Sequence, residues 1–397
     1  MARNYKRKKK KLKLKKLPLA ITSLILVLLV TGGLYAILSD DEAAEPSIPE
    51  KEEEKEKEEP DPELELVEVP RCEYCGGEME DEEKELSRPV TVTYGNTANE
   101  RPQSGINSAC IMYEAPAEGS LTRLQAVFKH QHSEKIGPIR SARYYLVTLA
   151  LEHDALYAHI QGYQPVMNKI RDKNVATLNE YGDASYFWRS EDRRAPFNAY
   201  TNIENLLEAA ESRGYRPEGQ RDNFITYNEE FSKEFINHAI AVTEKDDEKD
   251  HTDIKTSFIA TEAGQAEVES AEEITINYGR GNLVEYQYNE EDRNYQRYIN
   301  EDPHVDQADE EQITAQDLII QYVDSRVIDD QGRRRLGMIG EGEAKYLADG
   351  KVVPLTWEKD DHDEPTEFYH AETEEPLELR PGLTWINIVP YGTEISY

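Results

Sequence analysis

The chain is poor in the residues on which familiar catalytic mechanisms depend. Its 397 residues include only three cysteines. A structural zinc ion needs four ligands, so an all-cysteine zinc site within one chain is excluded. The sequence also contains no G-x-S-x-G turn, no G-x-x-x-x-G-K-S/T loop and no H-E-x-x-H helix. It therefore offers no recognisable pair of nucleophile and base.

Positive charge is scarce beyond the N-terminus. Ten of the 46 Lys and Arg residues precede Leu17, which leaves 36 against 80 acidic residues and a net charge of about −44. Such a surface excludes nucleic acid as a partner, because duplex binding requires a basic footprint. The acidity is typical of a linker and a soluble domain whose charges are screened by salt. Cation handling at the cell wall is the alternative, but no loop with D-x-D-x-D-G spacing supports it.

The N-terminus predicts a membrane anchor. The ten cations are followed by 22 uncharged residues, 17–38, and about 20 apolar residues are enough to span a bilayer as a helix. The basic flank is expected to stay in the cytoplasm, which places everything after Ser39 outside the cell. A cleaved signal peptide is the alternative, although its apolar region is typically only about 7–15 residues. The junction at Leu34-Tyr35-Ala36 also lacks the small-x-small pattern of a cleavage site.

Composition and periodicity divide the chain into six segments. The predicted segments are a basic cytoplasmic tail (1–16), a transmembrane anchor (17–38), an acidic disordered linker (39–86), an α/β module (87–235), a hinge or surface excursion (236–255) and a β-rich module (256–397). The fold class is therefore α/β or α+β. We expect the β-rich module to pack on the α/β module, with Trp357 and Trp385 as apolar anchors.

Local patterns predict individual elements of the two modules. Strands are indicated at 89–94, 109–113, 124–129, 156–160, 274–278, 283–288, 318–323, 352–357 and 384–389. The stretch 141–153 is apolar around most of its circumference, as a buried helix is. A second helix follows a capping box in which Thr201 is the expected N-cap and Glu204 reaches back, and Gly214 ends it.

The cysteines and histidines do not indicate a metal site. Cys72 and Cys75 resemble half of a zinc knuckle, but outside the membrane a local disulfide between them is favoured. A thiol redox role and a metal site shared between molecules are less favoured alternatives. Cys110 is expected to be a small buried hydrophobic residue. His130 and His132 share one face of a strand, yet two imidazoles without a third ligand fall short of a site. No cofactor and no metal are predicted, and His153 and His159 are expected to be core or surface residues.

Charged side chains interrupt the apolar run between Ser104 and Tyr145. These residues are Glu114, Glu118, Arg123, Lys135, Arg140 and Arg143. They predict either ion pairs between the arginines and the two acids or an anion site. In the second interpretation Pro138 fixes a turn, Ser141 is the N-cap, and the helix start and the arginines converge on one anion.

A further charged pair lies in the second module. Asp324 and Arg326 are two residues apart on one strand face. We expect them to pair with each other in preference to a catalytic role. Together with Lys135 they are secondary candidates for the site.

Several of these segments carry a family resemblance. The motifs E-A-x-x-E-G-x-x-T-R, K-I-G-P-I-R-S-A-R and A-P-F-N-A-Y-T, followed by Q-Y-V-D-S-R-V-I-D and G-L-T-W-I-N-I-V, resemble the DUF3048 family of bacterial envelope proteins, typified by the lipoprotein YerB. The resemblance covers Arg88 to Val389. It implies a membrane-tethered extracytoplasmic protein of Gram-positive-type bacteria, with two linked modules and a role in envelope assembly or its regulation. It supplies no catalytic residues. Typical relatives are anchored through a lipidated cysteine, which this chain lacks near its apolar segment.

Two function classes remain open from the sequence. The first is a binding or regulatory protein that works by contact with cell-wall synthesis proteins or anionic envelope polymers while anchored in the cytoplasmic membrane. The second is an enzyme acting on phosphorylated or glycan envelope substrates, in which the arginines stabilise the transferring charge. The missing nucleophile and base favour the first.

Overall fold

Strands and three helices form the regular structure of the described part of the chain. The computed structural model describes residues 70–79, 85–130, 133–220, 226–227 and 269–397. Its helices are α1 (Tyr144–Glu152), α2 (Gln164–Asp172) and α3 (Ile203–Ser212), with a 3-10 turn at Ala184–Tyr186. The strands up to residue 227 are β1 (Val90–Gly95), β2 (Ile111–Pro116), β3 (Thr122–Phe128), β4 (Leu156–His159), β5 (Thr177–Asn179), β6 (Trp188–Arg189), β7 (Ala199–Tyr200) and β8 (Thr226–Tyr227).

The remaining strands belong to residues 269–397. They are β9 (Glu273–Asn277), β10 (Leu283–Asn289), β11 (Asn294–Ile299), β12 (Asp302–Pro303), β13 (Thr314–Ala315), β14 (Asp317–Val327), β15 (Arg334–Gly337), β16 (Gly340–Ala348), β17 (Lys351–Lys359), β18 (Glu367–His370), β19 (Glu378–Leu379), β20 (Thr384–Pro390) and β21 (Glu394–Ser396). Each of the nine predicted strands overlaps one of these elements. Of the described strands that were not predicted, β16 and β11 are the longest.

One large sheet joins the two predicted modules. Its order among the described residues is β18-β17-β16-β14-β20-β2-β3-β1-β4-β5, with β15 paired to β14. β20 lies between β14 and β2 and is parallel to both. The second module therefore does more than pack on the first, because it supplies the strand that continues the first module's sheet. The smaller sheet has the order β12-β11-β10-β9-β21, with β13 paired to β11.

The strand period of two distributes apolar side chains to both faces of the large sheet. In β2, Ile111 and Tyr113 belong to one core cluster and Met112 to the other. Trp357 lies in the first cluster and Trp385 in the second, and both are buried, as expected of anchors. The first cluster contains side chains of α1 and α2, and the second contains side chains of α3 and of the smaller sheet. The result is a layered mixed α/β fold with a β-rich C-terminal region, which confirms the predicted class.

The helix boundaries differ from the predicted ones. α1 begins at Tyr144, three residues after the expected N-cap Ser141, and its cap position is Arg143, whose side chain makes no capping hydrogen bond. α3 is capped by Asn202, which accepts a hydrogen bond from the Asn205 amide at 2.8 Å, so the predicted capping box is displaced by one residue. The predicted buried character of α1 is correct: seven of its nine residues are buried.

The predicted linker, 39–86, is too long at its C-terminal end. Residues 70–79 form a hairpin that is closed by a bridge between Arg71 and Glu78. Its apolar side chains Cys72, Tyr74 and Cys75 are at most 5% exposed and join the first core cluster. These side chains explain why this acidic segment is packed.

The predicted anchor, the basic tail and the hinge at 236–255 lie outside the described residues. Within the described ranges, no helix is long and apolar enough to cross a membrane.

Candidate anion-binding site

The backbone brings the three predicted arginines to one end of β1. Arg123, in β3, lies opposite Gly95 in β1. The segment that precedes α1 adds to the same end, because the Arg140 amide donates a hydrogen bond to the Thr93 carbonyl at 2.9 Å. Arg143 follows three residues later, at the start of α1. The site is therefore built by a β-hairpin and by the entry to a buried helix.

Two of the arginines are paired with acids. Arg140 Nε lies 2.8 Å from Glu100 Oε1, and Arg143 Nη2 lies 2.6 Å from Glu118 Oε1. The Arg140 guanidinium also donates to the Pro196 carbonyl at 3.0 Å. For these two residues the ion-pair interpretation describes the structure, and Glu118, the partner of Arg143, is one of the two acids predicted for this role.

Arg123 is buried without an acid beside it. Its side chain is 4% exposed, and its Nη1 donates to the neighbouring Thr122 carbonyl at 3.2 Å. Across the described ranges, no carboxylate lies within ion-pair distance of this guanidinium. Burial lowers the pKa of Arg123, and the nearby Arg143 lowers it further. The cluster thus holds three cations and two carboxylates.

Hydrogen-bond donors remain unmatched in this cluster. The Nε–H groups of Arg123 and Arg143 are buried and have no hydrogen-bond acceptor in the described structure. The Nε of Arg140 lies 2.8 Å from Glu100 Oε1 and is therefore already paired with an acid. Buried polar groups without partners are rare and costly, and two in one cluster indicate a place where an anion can accept them.

Glu114 does not belong to this site. Its carboxylate lies 2.5 Å from Arg297 Nη2, and both side chains are fully buried. It also accepts hydrogen bonds from Thr122 Oγ1 at 2.7 Å and Asn96 Nδ2 at 3.0 Å. The cause is the strand alternation, because Arg123 lies opposite Ala115 while Glu114 points to the other face of the sheet, toward β11.

The secondary candidates are separate from the cluster. Lys135 Nζ lies 4.0 Å from Asp192 Oδ2 and 4.7 Å from the centre of the Tyr200 ring. Asp324 and Arg326 are exposed on β14, opposite β15. Both residues lie in the described part of the chain and form no ion pair with each other there, so the expected pairing is wrong.

The predicted cysteine and histidine candidates are buried. Cys72 and Cys75 are free thiols in the structure, and they lie beside Cys110 and His130, a grouping that the sequence analysis did not predict. His132 lies outside the described residues. His153 and His159 are core residues: His153 Nε2 lies 2.8 Å from the Tyr113 hydroxyl, and burial lowers the pKa of His159 to about 4.

Glu100 is a site residue that sequence reasoning missed. Its side chain is fully buried, and its second carboxylate oxygen accepts a hydrogen bond from the Thr97 amide at 2.8 Å. The available signal was Gly95, which directly follows the predicted strand 89–94. A Cβ at Gly95 would lie 2.0 Å from the carboxyl carbon of Glu100, so this glycine supplies the space for the acid.

Lys169 is one of several buried cations outside the cluster that were not predicted. Lys169 Nζ contacts the Tyr144 carbonyl at 3.1 Å and Thr148 Oγ1 at 2.5 Å, and it lies 4.1 Å from the centre of the Tyr144 ring. Burial lowers the pKa of Lys169 to about 7.

An open cleft of about 310 Å³ lies elsewhere, and none of the three arginines lines it. Its lining residues are Arg71, Gly77, Glu78, Arg293, Gln316, Arg380 and Pro381.

Comparisons with known proteins establish the family. Residues 75–216 match the N-terminal domain, and residues 274–386 the C-terminal domain, of the family described as a protein of unknown function, DUF3048. The chain belongs to this family. It is 29% identical over 308 residues to the protein of Bacillus subtilis (strain 168) named "Putative lipoprotein YerB", covering 76% of this chain and 81% of that protein. The crystal structure of the YerB protein from Bacillus subtilis is similar with a TM-score of 0.66 and 27% identity, covering 83% of this chain and all of that one.

Proposed function

We propose that this protein is a membrane-anchored, extracytoplasmic binding protein of the cell envelope, which takes an anionic envelope ligand at the arginine cluster and acts by contact. The location draws on two observations. The relative is named a lipoprotein, and the N-terminus of this chain combines a basic flank with 22 uncharged residues. The helix itself is the proposed anchor, with a single pass and a cytoplasmic N-terminus.

The observation that carries the ligand class is the excess of guanidinium donors in this cluster, where the buried Nε–H groups of Arg123 and Arg143 have no hydrogen-bond partner in the described structure. Arg123, Arg140 and Arg143 exceed their two carboxylates by one positive charge. Phosphate groups are suited to such a cluster, since they accept several hydrogen bonds from arginines at once. Phosphates of lipid-linked wall precursors and of teichoic-type polymers, or carboxylates of a cell-wall synthesis protein, provide this chemistry outside the membrane.

A binding role is favoured over catalysis because both acids of the cluster are paired with arginines. Glu100 and Glu118 each lie within 2.8 Å of an arginine, so neither is available as a general base. We therefore expect binding without turnover. Incubation of the protein with lipid-linked precursor or purified wall polymer, followed by mass spectrometry, tests this expectation. A product that disappears in an arginine variant would favour an envelope enzyme.

The Arg123→Met variant is expected to lose ligand while keeping its fold. Hydrogen bonds to charged groups contribute about 1.5–3 kcal/mol, so binding of inorganic phosphate or a phosphodiester wall polymer should weaken by about 10- to 100-fold. Because Arg123 is a buried cation without an adjacent acid, we also expect its melting temperature to stay equal or rise. Isothermal titration calorimetry and thermal unfolding of the soluble fragment 39–397 measure the two effects.

The matched control is Arg189→Met, which removes an arginine that is bound to Glu180 outside the cluster. It should leave phosphate binding unchanged. If Arg123→Met unfolds the protein, the arginine has a structural role instead. Equal binding by the wild type and both variants would reject the anion site.

Topology is tested separately from ligand binding. A protease added to protoplasts is expected to digest the chain after Ser39 and to leave the basic tail protected in the membrane fraction. Immunoblotting with tags at the two termini distinguishes the fragments. Protection of the C-terminal tag in intact protoplasts, with digestion after lysis, would contradict the proposed orientation.

A further inference from the structure

All three cysteines of the chain meet in one buried group with a histidine. The sulfurs of Cys72, Cys75 and Cys110 and a ring nitrogen of His130 all lie within 4.8 Å of one another. Their side chains are buried, with relative exposures between 0 and 6%. Buried cysteines are common as small hydrophobic residues. That role does not require all of them to converge on an imidazole.

Two neighbouring strands supply half of the group. Cys110 immediately precedes β2, and His130 follows the end of β3 by two residues. β2 and β3 are antiparallel, and the Cys110 amide donates to the Val127 carbonyl at 2.8 Å. The start of β2 and the end of β3 therefore lie side by side at the same end of this strand pair. His130 Nδ1 is 3.2 Å from the Cys110 sulfur.

The hairpin 70–79 supplies the other half. The Cys72 amide donates to the Gly77 carbonyl at 2.9 Å, and the Tyr74 amide donates to the Cys72 sulfur at 3.3 Å. Gly76 has φ +61°, in the left-handed region that favours glycine. This C-x-x-C-G turn directs both sulfurs to the same side, with the Cys75 sulfur 3.3 Å from His130 Nδ1.

Gly77 keeps the space around the group open. A Cβ at this position would lie 3.2 Å from the Cys75 sulfur and 3.5 Å from His130 Nε2. A side chain here would therefore crowd the Cys75 sulfur and contact the His130 ring. This requirement gives the second glycine of the C-x-x-C-G-G sequence a role beyond turn formation.

We infer that Cys72, Cys75, Cys110 and His130 form a Cys3His zinc site that fastens the N-terminal hairpin to the large sheet. Zinc–sulfur bonds of about 2.3 Å and zinc–nitrogen bonds of about 2.0–2.1 Å, arranged tetrahedrally, place the donor atoms about 3.5–3.8 Å apart. The observed separations, up to 4.8 Å, need adjustments of about 1 Å to reach this geometry. Binding of Zn²⁺ displaces the protons of the three thiols, which go to solvent, and involves no redox change.

The donor set and its burial indicate zinc in a structural role. Three thiolates and one imidazole are soft and borderline ligands that favour zinc over magnesium or calcium. A catalytic zinc ion keeps an open position for water or substrate, whereas here four protein ligands complete a tetrahedron in a buried place. The site is distinct from the arginine cluster and does not depend on the proposed function. Its effect is to fix the hairpin 70–79 to the end of the strand pair formed by β2 and β3.

Metal content of the full-length protein, purified in detergent without added chelator, tests this inference. We expect about one zinc ion per chain by mass spectrometry, and alkylation of the cysteines only after chelation. Replacement of zinc by Co²⁺ should give the thiolate charge-transfer and visible bands of tetrahedral cobalt. Cys110→Ser and His130→Gln are each expected to weaken Co²⁺ or Zn²⁺ binding by at least about 100-fold, since loss of outer-shell partners alone costs about 10- to 100-fold.

His362→Gln is the matched control, because His362 lies outside the group and should leave metal binding unchanged. A reduced protein that binds neither Zn²⁺ nor Co²⁺ would overturn the inference. So would a Cys72–Cys75 disulfide found by mass spectrometry in protein prepared without oxidant, with Cys110 as a free thiol. Wild-type zinc affinity in His130→Gln would reject the fourth ligand. The test remains decisive if a variant is unstable, because the metal content is first measured on the wild-type protein.

Discussion

The N-terminal family domain, residues 75–216, is expected to show no cooperative unfolding transition when it is produced without the C-terminal domain. β20 is the parallel neighbour of β2, and Trp385 from this strand lies in the same core cluster as Met112. Removing the C-terminal domain therefore exposes a strand edge and part of the core at once. The fragment from Val67 to Tyr397 should instead unfold in one transition by calorimetry and circular dichroism, with equal calorimetric and van't Hoff enthalpies.

Mixing the two halves provides the control for this experiment. A separate fragment that carries residues 217–397 should restore at least part of the transition, because it returns β20 to its place beside β2. Two separate transitions in the joined fragment would contradict the expectation. A sharp transition of 75–216 alone, at the temperature of the joined fragment, would do the same.

The Glu114→Ala variant is expected to lose about 3–5 kcal/mol of unfolding free energy, the usual cost of breaking a buried ion pair. Arg297 would remain fully buried without a carboxylate, although it still donates to His304 Nδ1 at 3.0 Å and lies 4.1 Å from the Trp385 ring. This pair connects β2 in the large sheet with β11 in the smaller one. Urea unfolding, followed by tryptophan fluorescence, measures the change.

Two further variants separate the charge from the packing. The double variant Glu114→Met with Arg297→Met should recover most of the lost free energy, since replacing a buried pair by apolar side chains is often neutral. Arg171→Ala removes half of an exposed pair with Asp172, whose side chains are 68% and 65% exposed, and should change stability by less than about 1 kcal/mol. A loss below about 1 kcal/mol in Glu114→Ala would show that the ion pair contributes little to the free energy of unfolding.

The sequence was sufficient for elements that depend on local patterns. Alternating apolar residues predicted β2 and β20, and the continuous apolar circumference of α1 predicted its burial. Spacing also found Arg123, Arg140 and Arg143, because cations beside core residues need partners. These inferences need only the periods of strands and helices. The assignment to the DUF3048 family followed from ordered motifs and is confirmed.

Features that depend on pairing distant segments could not be derived in this way. Nothing in the local sequence places β20 between β2 and β14, since strand order depends on contacts across the whole chain. The contact between Glu114 and Arg297 is equally impossible to derive from local sequence. This ion pair is the reason that Glu114 is not part of the candidate site. The hairpin 70–79 falls within the predicted linker because the acidic composition of the whole segment hides the few apolar side chains, Cys72, Tyr74 and Cys75, that pack it. Its proximity to Cys110 and His130 appears only when β2 and β3 are paired.

The position of β20 also affects how the protein is made. This strand, Thr384–Pro390, lies far along the chain from β2, Ile111–Pro116, yet the two strands are neighbours in the large sheet. During synthesis, the large sheet cannot be completed until β20 has emerged. Pairing across such long sequence separations is slow, and the incomplete sheet has unpaired edges. A chain truncated before β20 would therefore remain a target for proteolytic quality control, and only a chain that includes this strand would acquire the stable fold.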